Sequence, residues 1–444
     1  MAFAAPPSPL PSPAAGDAST RYTDDPLALS VVTTIFFMWG FLTALNDILI
    51  PHLKAMFELS YAQAMLVQFI FFGAYFLMSL PAGWVVSRLG YKLSIVAGLA
   101  VAGLGTAGFW PAAELRSYDV FLAALFVLAT GITVLQVAAN PYVALLGPAR
   151  TSSSRLTLAQ AMNSLGTALA PLFGGLLILS TAVMSTTAVA TLPAAEQLAY
   201  HVREAQSVQT PYLGLAVVLV LLAAAVWMFR LPALVDRDAP QIAGAKHSLG
   251  DALRHRHVRF GILAIFVYVG AEVSIGSFMV NYLSLPQIGA MTEQRAAHYV
   301  AFYWGGAMVG RLAGSALLAW FNPRRLLALF AAVAGALLLT TMLSGGDVAT
   351  VSVIAIGLFN SIMFPTIFAL GIERLGPLTE KAASLLIMAI VGGALVPWLQ
   401  GVLADHIGVQ HAFVLPLACY AYLVFYGLNG SRVDLPLPAS EAAR

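Results

Sequence analysis

Trp39, Thr43, Asn46 and Ile50 are spaced four, three and four residues apart, which stacks them on one face of a helix, and Asp47 stands one position round from that face. The run that holds them, Trp39-Gly-Phe-Leu-Thr-Ala-Leu-Asn46-Asp47-Ile-Leu-Ile-Pro51, belongs to a hydrophobic stretch long enough to cross a bilayer. A carboxylate near the middle of a membrane helix costs roughly 2.5–3.5 kcal/mol on insertion scales, so Asp47 is expected to face a polar cavity and to serve transport or proton relay. The opposing expectation is a helix end at which Asp47 snorkels to water beside Pro51 and His52. The adjoining Asn46, and similar polar groups in other apolar runs, favour the cavity.

The same device recurs. The fourth apolar run carries Thr133, Gln136 and Asn140, the fifth Gln160, Asn163 and Thr167, the seventh Tyr268, Glu272 and Asn281, and the tenth Asn360. A single amide of this kind serves as interhelical glue, worth about 0.6 kcal/mol per contact. Stripes on four helices, including helices from both halves of the chain, instead point to a cavity that binds a polyol. A hexose presents hydroxyls that both donate and accept, which carboxamides match, and an apolar ring face that stacks on Trp39 or Tyr268. Phosphate and carboxylate substrates want Arg or Lys clamps, and the cation read inside the membrane is Arg311 in the eighth run. It is expected to pack near the cytoplasmic end against an acid or helix carbonyls, and with Arg88 and Lys92 it is assigned to gating rather than to substrate.

The elements that position these residues follow from composition. Of 444 residues 60% are hydrophobic and 9% charged, with a mean hydropathy of +0.85, outside the range of soluble globular proteins. Twelve runs reach the roughly 20 residues a crossing helix needs: 28–53, 61–87, 93–112, 119–143, 155–180, 211–231, 258–284, 296–321, 325–343, 348–372, 382–404 and 411–429. The division between 325 and 372 is the least distinct. An even number puts both termini on one side. Loops on that side hold Arg88, Lys92, Arg150, Arg155, Arg230, Arg237, Lys246, Arg254, Arg256, Arg259, Arg324, Arg325, Arg374 and Lys381, against Lys54, Arg116, Arg203 and Arg295 opposite, which makes both termini cytoplasmic.

The polar stretch 232–257 separates six runs from six, so a bundle over 28–231 and a second over 258–430 are expected. Tails of 1–27 and 431–444 flank them, the first a disordered Pro, Ala and Ser-rich segment rather than a signal peptide. Asn140-Pro-Tyr-Val-Ala-Leu-Leu-Gly-Pro148 is echoed by Phe364-Pro-Thr-Ile-Phe-Ala-Leu-Gly371 with Leu375-Gly-Pro377. Gly83 to Lys92 is echoed by Gly310-Arg-Leu-Ala-Gly314 with Pro323-Arg-Arg325. Parallel repeats of this kind enclose a central site in many carriers.

A net charge of +2 and no basic tract give no reason to expect nucleic acid. The lone Cys419 excludes disulfides within one chain and thiolate metal sites. No cofactor, metal cluster, phosphate-binding glycine loop or catalytic triad is read, so no enzyme is expected. Histidines 201, 247, 255, 257 and 406 are read as solvated loop residues.

Several strings taken together resemble the fucose:proton symporter family of the major facilitator superfamily: Phe36-Phe-Met-Trp-Gly-Phe-Leu-Thr-Ala-Leu-Asn-Asp-Ile-Leu-Ile-Pro51, Ala138-Ala-Asn-Pro-Tyr142, Arg155-Leu-Thr-Leu-Ala-Gln-Ala-Met-Asn-Ser-Leu-Gly166 and Pro365-Thr-Ile-Phe-Ala-Leu-Gly371. Tyr268-Val-Gly-Ala-Glu-Val-Ser-Ile-Gly-Ser277 and Gly357-Leu-Phe-Asn-Ser-Ile-Met-Phe-Pro365 look more like its glucose/galactose transporter branch. The resemblance implies an all-α integral membrane fold of twelve transmembrane helices in two six-helix bundles. It also implies sugar uptake coupled to a cation, with Asp47 as the coupling acid and Asn163 as a sugar-contacting amide. Where the fucose carriers have a second acid on the fourth helix this chain has Gln136, and their tyrosine before Pro-Thr-Ile-Phe is Phe364 here. Glu272 is the candidate replacement acid, in the opposite half.

The expectation is therefore a monomeric inner-membrane carrier that imports a neutral hexose by alternating access with a proton. Sodium remains open, because Asp47 and Asn46 are oxygen donors of the kind a hard cation accepts. One charge falling through 100 mV supplies about 2.3 kcal/mol, enough for roughly fifty-fold accumulation of a neutral sugar. The rival expectations are an L-fucose:proton symporter, a sodium-coupled glucose transporter and a multidrug exporter.

Overall fold

The computed structural model of the protein describes residues 26–56, 61–115, 117–177, 191–232 and 248–433, and these are helices with short connections. Most of the expected tails at 1–27 and 431–444, and of the expected linker at 232–257, lies outside them. Before the linker run α1 (Pro26–Met56), α2 (Tyr61–Ala107), α3 (Phe109–Glu114), α4 (Tyr118–Leu145), α5 (Ser152–Leu177) and α6 (Ala194–Met228). After it come α7 (Leu249–Arg254), α8 (Arg256–Leu283), α9 (Glu293–Trp320), α10 (Pro323–Leu343), α11 (Gly346–Asn360), α12 (Met363–Gly371), α13 (Thr379–Met388), α14 (Gly392–Ile407), α15 (Val409–Ala412) and α16 (Val414–Phe425).

Among the described residues nine helical stretches are long and apolar enough to cross a membrane. One of them, Phe69–Glu114, has 46 residues, which is about 69 Å of helix and twice the need of a hydrocarbon core about 30 Å thick. It folds at Gly90 (φ 74°, ψ 173°), a conformation that a Cβ would strain, and so supplies two crossings. Both legs reach α4. Tyr75 on the first bonds Gln136, while Gly98 and Gly105 on the second lie so close to α4 that a Cβ would meet Gly131 O and Leu128 N at 3.0 and 2.2 Å. Helix α5 and helix α9 stand outside the nine because the polar stripe of the one and the Arg311 and small residues of the other dilute their apolar runs.

Two of the predicted runs are bent rather than straight. The run 348–372 breaks at Ser361–Ile362 into α11 and α12, and the run 382–404 passes through a 3₁₀ turn at Ala389–Val391 between α13 and α14. The division that was indistinct in sequence falls at Ser344–Gly345, between α10 and α11. Large apolar side chains such as Met228, Trp320 and Leu343 stand exposed on the outside, where lipid rather than water is their matched solvent.

At the end of the molecule richest in arginine, α5 closes on α9. Ser154 Oγ donates to Ser315 O at 2.7 Å and Ser315 Oγ returns a bond to Ser154 O at 3.0 Å. Beside them α2 closes on α13, where Gly83 leaves room for Ser384. The cations of this end cap helices. Arg155 donates to the carbonyls of Val143, Ala144 and Pro148, the orphan acceptors where α4 ends.

Candidate substrate cavity

Between these contacts and the opposite ends of the helices lies a cavity of about 220 Å³ with walls from both halves of the chain. At roughly 30 Å³ per water it holds the volume of about seven waters, the scale of one monosaccharide.

Its first wall is built on α1 and α5, which touch backbone to backbone. A Cβ on Gly40 would meet Asn163 O at 2.0 Å, and one on Gly166 would meet Phe37 O at 2.2 Å. Asn163 Nδ2 donates to Phe36 O at 3.0 Å and Thr167 Oγ1 to Gly40 O at 3.3 Å, so this seam is fixed by side-chain bonds. It presents Trp39, Thr43, Gln160, Asn163 and Thr167 to the cavity. Helices α2 and α4 add Phe71, Phe72, Tyr75 and Gln136, with Gln136 Nε2 donating to the Tyr75 hydroxyl at 2.6 Å.

Two polar atoms of this wall are unspent: Gln136 Oε1 and Gln160 Nε2 are buried without a hydrogen-bond partner. Buried carboxamide atoms are normally satisfied, since leaving one bare costs about 1–3 kcal/mol. An acceptor and a donor on facing helices are what a hydroxyl can answer at once.

The second wall is of another kind. Val269, Val273, Phe364 and Ile390 make it apolar, and Glu272 and Arg311 place one charge pair in it. Arg311 Nη2 stands 3.8 Å from Glu272 Oε1, and both side chains are mostly buried, at 13% and 12% exposed. Arg311 also donates to Ser361 O and, across to α5, to Ser164 Oγ. The pair compensates its own charge, so the cavity as a whole suits a neutral ligand.

Residues 27–390 match the sequence pattern of the Major Facilitator Superfamily. The chain belongs to that superfamily. Among curated proteins, this facilitator is 53% identical to a glucose/galactose transporter of Brucella abortus, over 91% of its own chain and 94% of the relative's. It is 37% identical to the L-fucose-proton symporter of Escherichia coli, over 90% and 92%. Among solved structures, a crystal structure of the facilitator FucP in the outward conformation superposes with a TM-score of 0.86 at 35% identity, covering 93% of this chain and all, 100%, of that one. The facilitator is thus an all-helical, multi-pass membrane transporter, not an enzyme.

Of the residues singled out in the sequence, Trp39, Gln136, Gln160, Asn163, Glu272 and Arg311 line one cavity. Arg311 is paired there with an acid, Glu272, and with the carbonyl of Ser361. The side chains of Asn46 and Asp47, one to two turns beyond Trp39 and Thr43 on α1, lie outside those described.

Four expected ligand residues are not in the wall. Asn140 is on the face of Gln136 but one turn nearer the closed end, fully buried, with both amide atoms unpartnered. Asn360 spends its amide within the second half, donating to Tyr303 Oη at 2.8 Å and accepting from Tyr420 Oη at 2.7 Å. Tyr268 lies behind Glu272 and donates to Asn360 O at 2.9 Å. Asn281 is exposed, since nine residues at about 100° each put it on the face of α8 opposite Glu272. Arg88 is exposed over the Trp84 ring and Lys92 half-buried, both far along α2 at its fold. His257, expected in solvent, is fully buried at the start of α8.

Sequence reasoning missed Phe71, Phe72 and Tyr75. The signal was one hydroxyl in the aromatic run Phe69-Ile-Phe-Phe-Gly-Ala-Tyr75, with Phe71 and Tyr75 four apart and therefore stacked.

Proposed function

We propose that this facilitator imports a neutral hexose of the glucose/galactose type together with a proton, by alternating access, at the cavity between its halves. The observation that carries the reading is the pair of carboxamides Gln136 and Gln160, each with one buried amide atom left unpartnered, in the lining of a cavity of monosaccharide size that also holds Trp39. Hydroxyls answer the amides, and the ring gives the sugar's apolar face a plate. The glucose/galactose transporter named above, more than half identical, supports the substrate class, and the L-fucose-proton symporter supports the coupling ion.

In this reading the halves are 28–231 and 258–430, joined by 232–257, with both tails and the arginine-rich end in the cytoplasm of a cell whose inner membrane holds the carrier as a monomer. The closed arginine-rich end is then that of an outward-facing carrier. Asp47, with Asn46 beside it, and Glu272 are the coupling acids. Gln136, Gln160 and Asn163 hold the sugar, and Tyr268 and Asn360 set the back of the second wall. Asn140 is met on the way out, Arg311 closes the path, and Arg88 and Lys92 steady the fold of α2.

Proteoliposomes under an imposed proton gradient, offered radiolabelled glucose, galactose, mannose and fucose, test it: glucose or galactose should accumulate and collapse with a protonophore. Accumulation driven by a sodium gradient alone, or dye efflux with no hexose uptake, would remove the reading. Two predictions accompany it. Gln136→Leu and Gln160→Leu should each raise the KM for sugar by about 5–150-fold, the worth of one hydrogen bond of 1–3 kcal/mol, with the chain still folded. Asp47→Asn should abolish uphill accumulation yet keep sugar counterflow, and concentrative uptake by that variant would exclude Asp47 from coupling.

A further inference from the structure

Arg311 touches three helices besides its own. Its Nη2 is 3.8 Å from Glu272 on α8, its Nε donates to Ser361 O where α11 ends, and its Nη1 donates to Ser164 Oγ on α5. The first two partners belong to its own half, and Ser164 belongs to the other. Gly310 makes the reach possible by letting α9 lie against Leu358 and Ser361, where a Cβ would come within 2.5–2.7 Å. One buried cation therefore spans the boundary that must part when the arginine-rich end opens.

The geometry points to Arg311 as a charge-dependent latch between the two halves, aimed at Ser164 only while Glu272 carries its negative charge. A guanidinium is a rigid fork, so the partner at one prong orients the others. With Glu272 ionised, its charge 3.8 Å away draws the Nη2 prong towards α8 and Nη1 is presented to α5. With Glu272 protonated, that anchor is lost and the cation must find solvent or carbonyls elsewhere. The groups facing Glu272 in this respect are Tyr268 on its own helix, Arg311 and Tyr303 from α9, Tyr420 from α16 and, across the cavity, Tyr75 from α2. Arg311 is the one cation among them. Proton uptake at Glu272 thereby loosens the closed end, and proton release restores it. Arg311 is a positioning residue here, and the inference rests on the placement of Glu272 in the transport cycle given above.

Ser154 and Ser315 supply the readout, since their Oγ atoms lie 3.5 Å apart across the same seam, close enough for a disulfide once both are cysteine. In a Cys419→Ser background, S154C/S315C oxidised with copper-phenanthroline should cross-link, after correction for the thiolate fraction at each pH, fastest at high pH and slow as pH falls. Glu272→Gln should make the corrected rate slow, on the order of fivefold, and independent of pH, the difference between a charge-assisted and a neutral hold. Ser164→Ala should slow it at every pH, while Arg311→Lys should keep part of the pH dependence. A corrected rate unmoved by Glu272→Gln or by Ser164→Ala overturns the latch, as does a wild-type rate that follows pH only as the thiolate fraction does. Sugar uptake measured on the same vesicles separates the two ideas: proton-driven accumulation that survives in Glu272→Gln removes that acid from coupling, whatever the cross-linking shows.

Discussion

Gly40→Leu should abolish hexose uptake and lower the stability of the carrier in detergent by about 1–3 kcal/mol, the cost of forcing a side chain into a packed seam. The reason is where the added atoms must go. A Cβ at residue 40 would stand 2.0 Å from Asn163 O and 2.8 Å from Asn163 C, both backbone, so no rotamer relieves it and α1 and α5 must separate. In a bilayer the apolar effect does not press helices together, and close approach at small residues supplies much of the association. Separation also breaks the Asn163 bond to Phe36 O and the Thr167 bond to Gly40 O, which hold the cavity wall in register. Trp39 on one helix and Gln160 on the other would then no longer address the same ligand. Gly73→Ala is the control: nothing lies within 4 Å of its added methyl, so melting temperature and uptake should stay at wild-type values. Normal uptake by Gly40→Leu would mean that α1 and α5 do not meet as described.

The contrast between the two walls explains how much of this site could be read from the sequence. Trp39 with Thr43, Gln136, and Gln160 with Asn163 and Thr167 were legible because helical spacing alone puts each set on one face, and an amide in lipid has few other uses. The second wall was not legible in the same way. Ile390 enters it from the 3₁₀ turn at Ala389–Val391, and Phe364 from just past the break at Ser361–Ile362, and an unbroken apolar run announces neither bend. Asn281 was drawn into the site by its residue type, although its spacing from Glu272 turns it the other way. Asn140 and Asn360 show the complementary limit. Their type and face are those of ligand residues, yet one sits a turn below the cavity and the other is consumed by Tyr303 and Tyr420, and both facts depend on neighbours distant in the chain. Glu272 and Arg311 were each noticed, but their meeting across two helices is a property of packing.

That meeting sets the other large effect. Arg311→Met should destabilise the protein by about 3–5 kcal/mol, because it leaves the carboxylate of Glu272, 12% exposed, buried without its cation. Glu272→Leu should be costly for the mirror reason, stranding a guanidinium whose remaining partners are the neutral Ser164 and Ser361. The double variant Arg311→Met with Glu272→Leu removes both charges together, and a well-packed apolar pair in place of a buried ion pair is often neutral or stabilising. Its melting temperature in detergent should therefore lie above that of either single variant and near that of the wild type, a coupling of several kcal/mol in a double-mutant cycle. The loss in Arg311→Met should also grow as pH rises, because an orphaned buried acid is tolerated only when neutral. Sugar transport should fail in all three, since the double variant regains stability without regaining a charge that can be switched. Additive losses in the double variant would mean that the two side chains do not share their desolvation. Recovery of stability without recovery of transport, by contrast, would show that this pair is retained for moving the carrier between states and not for holding it together.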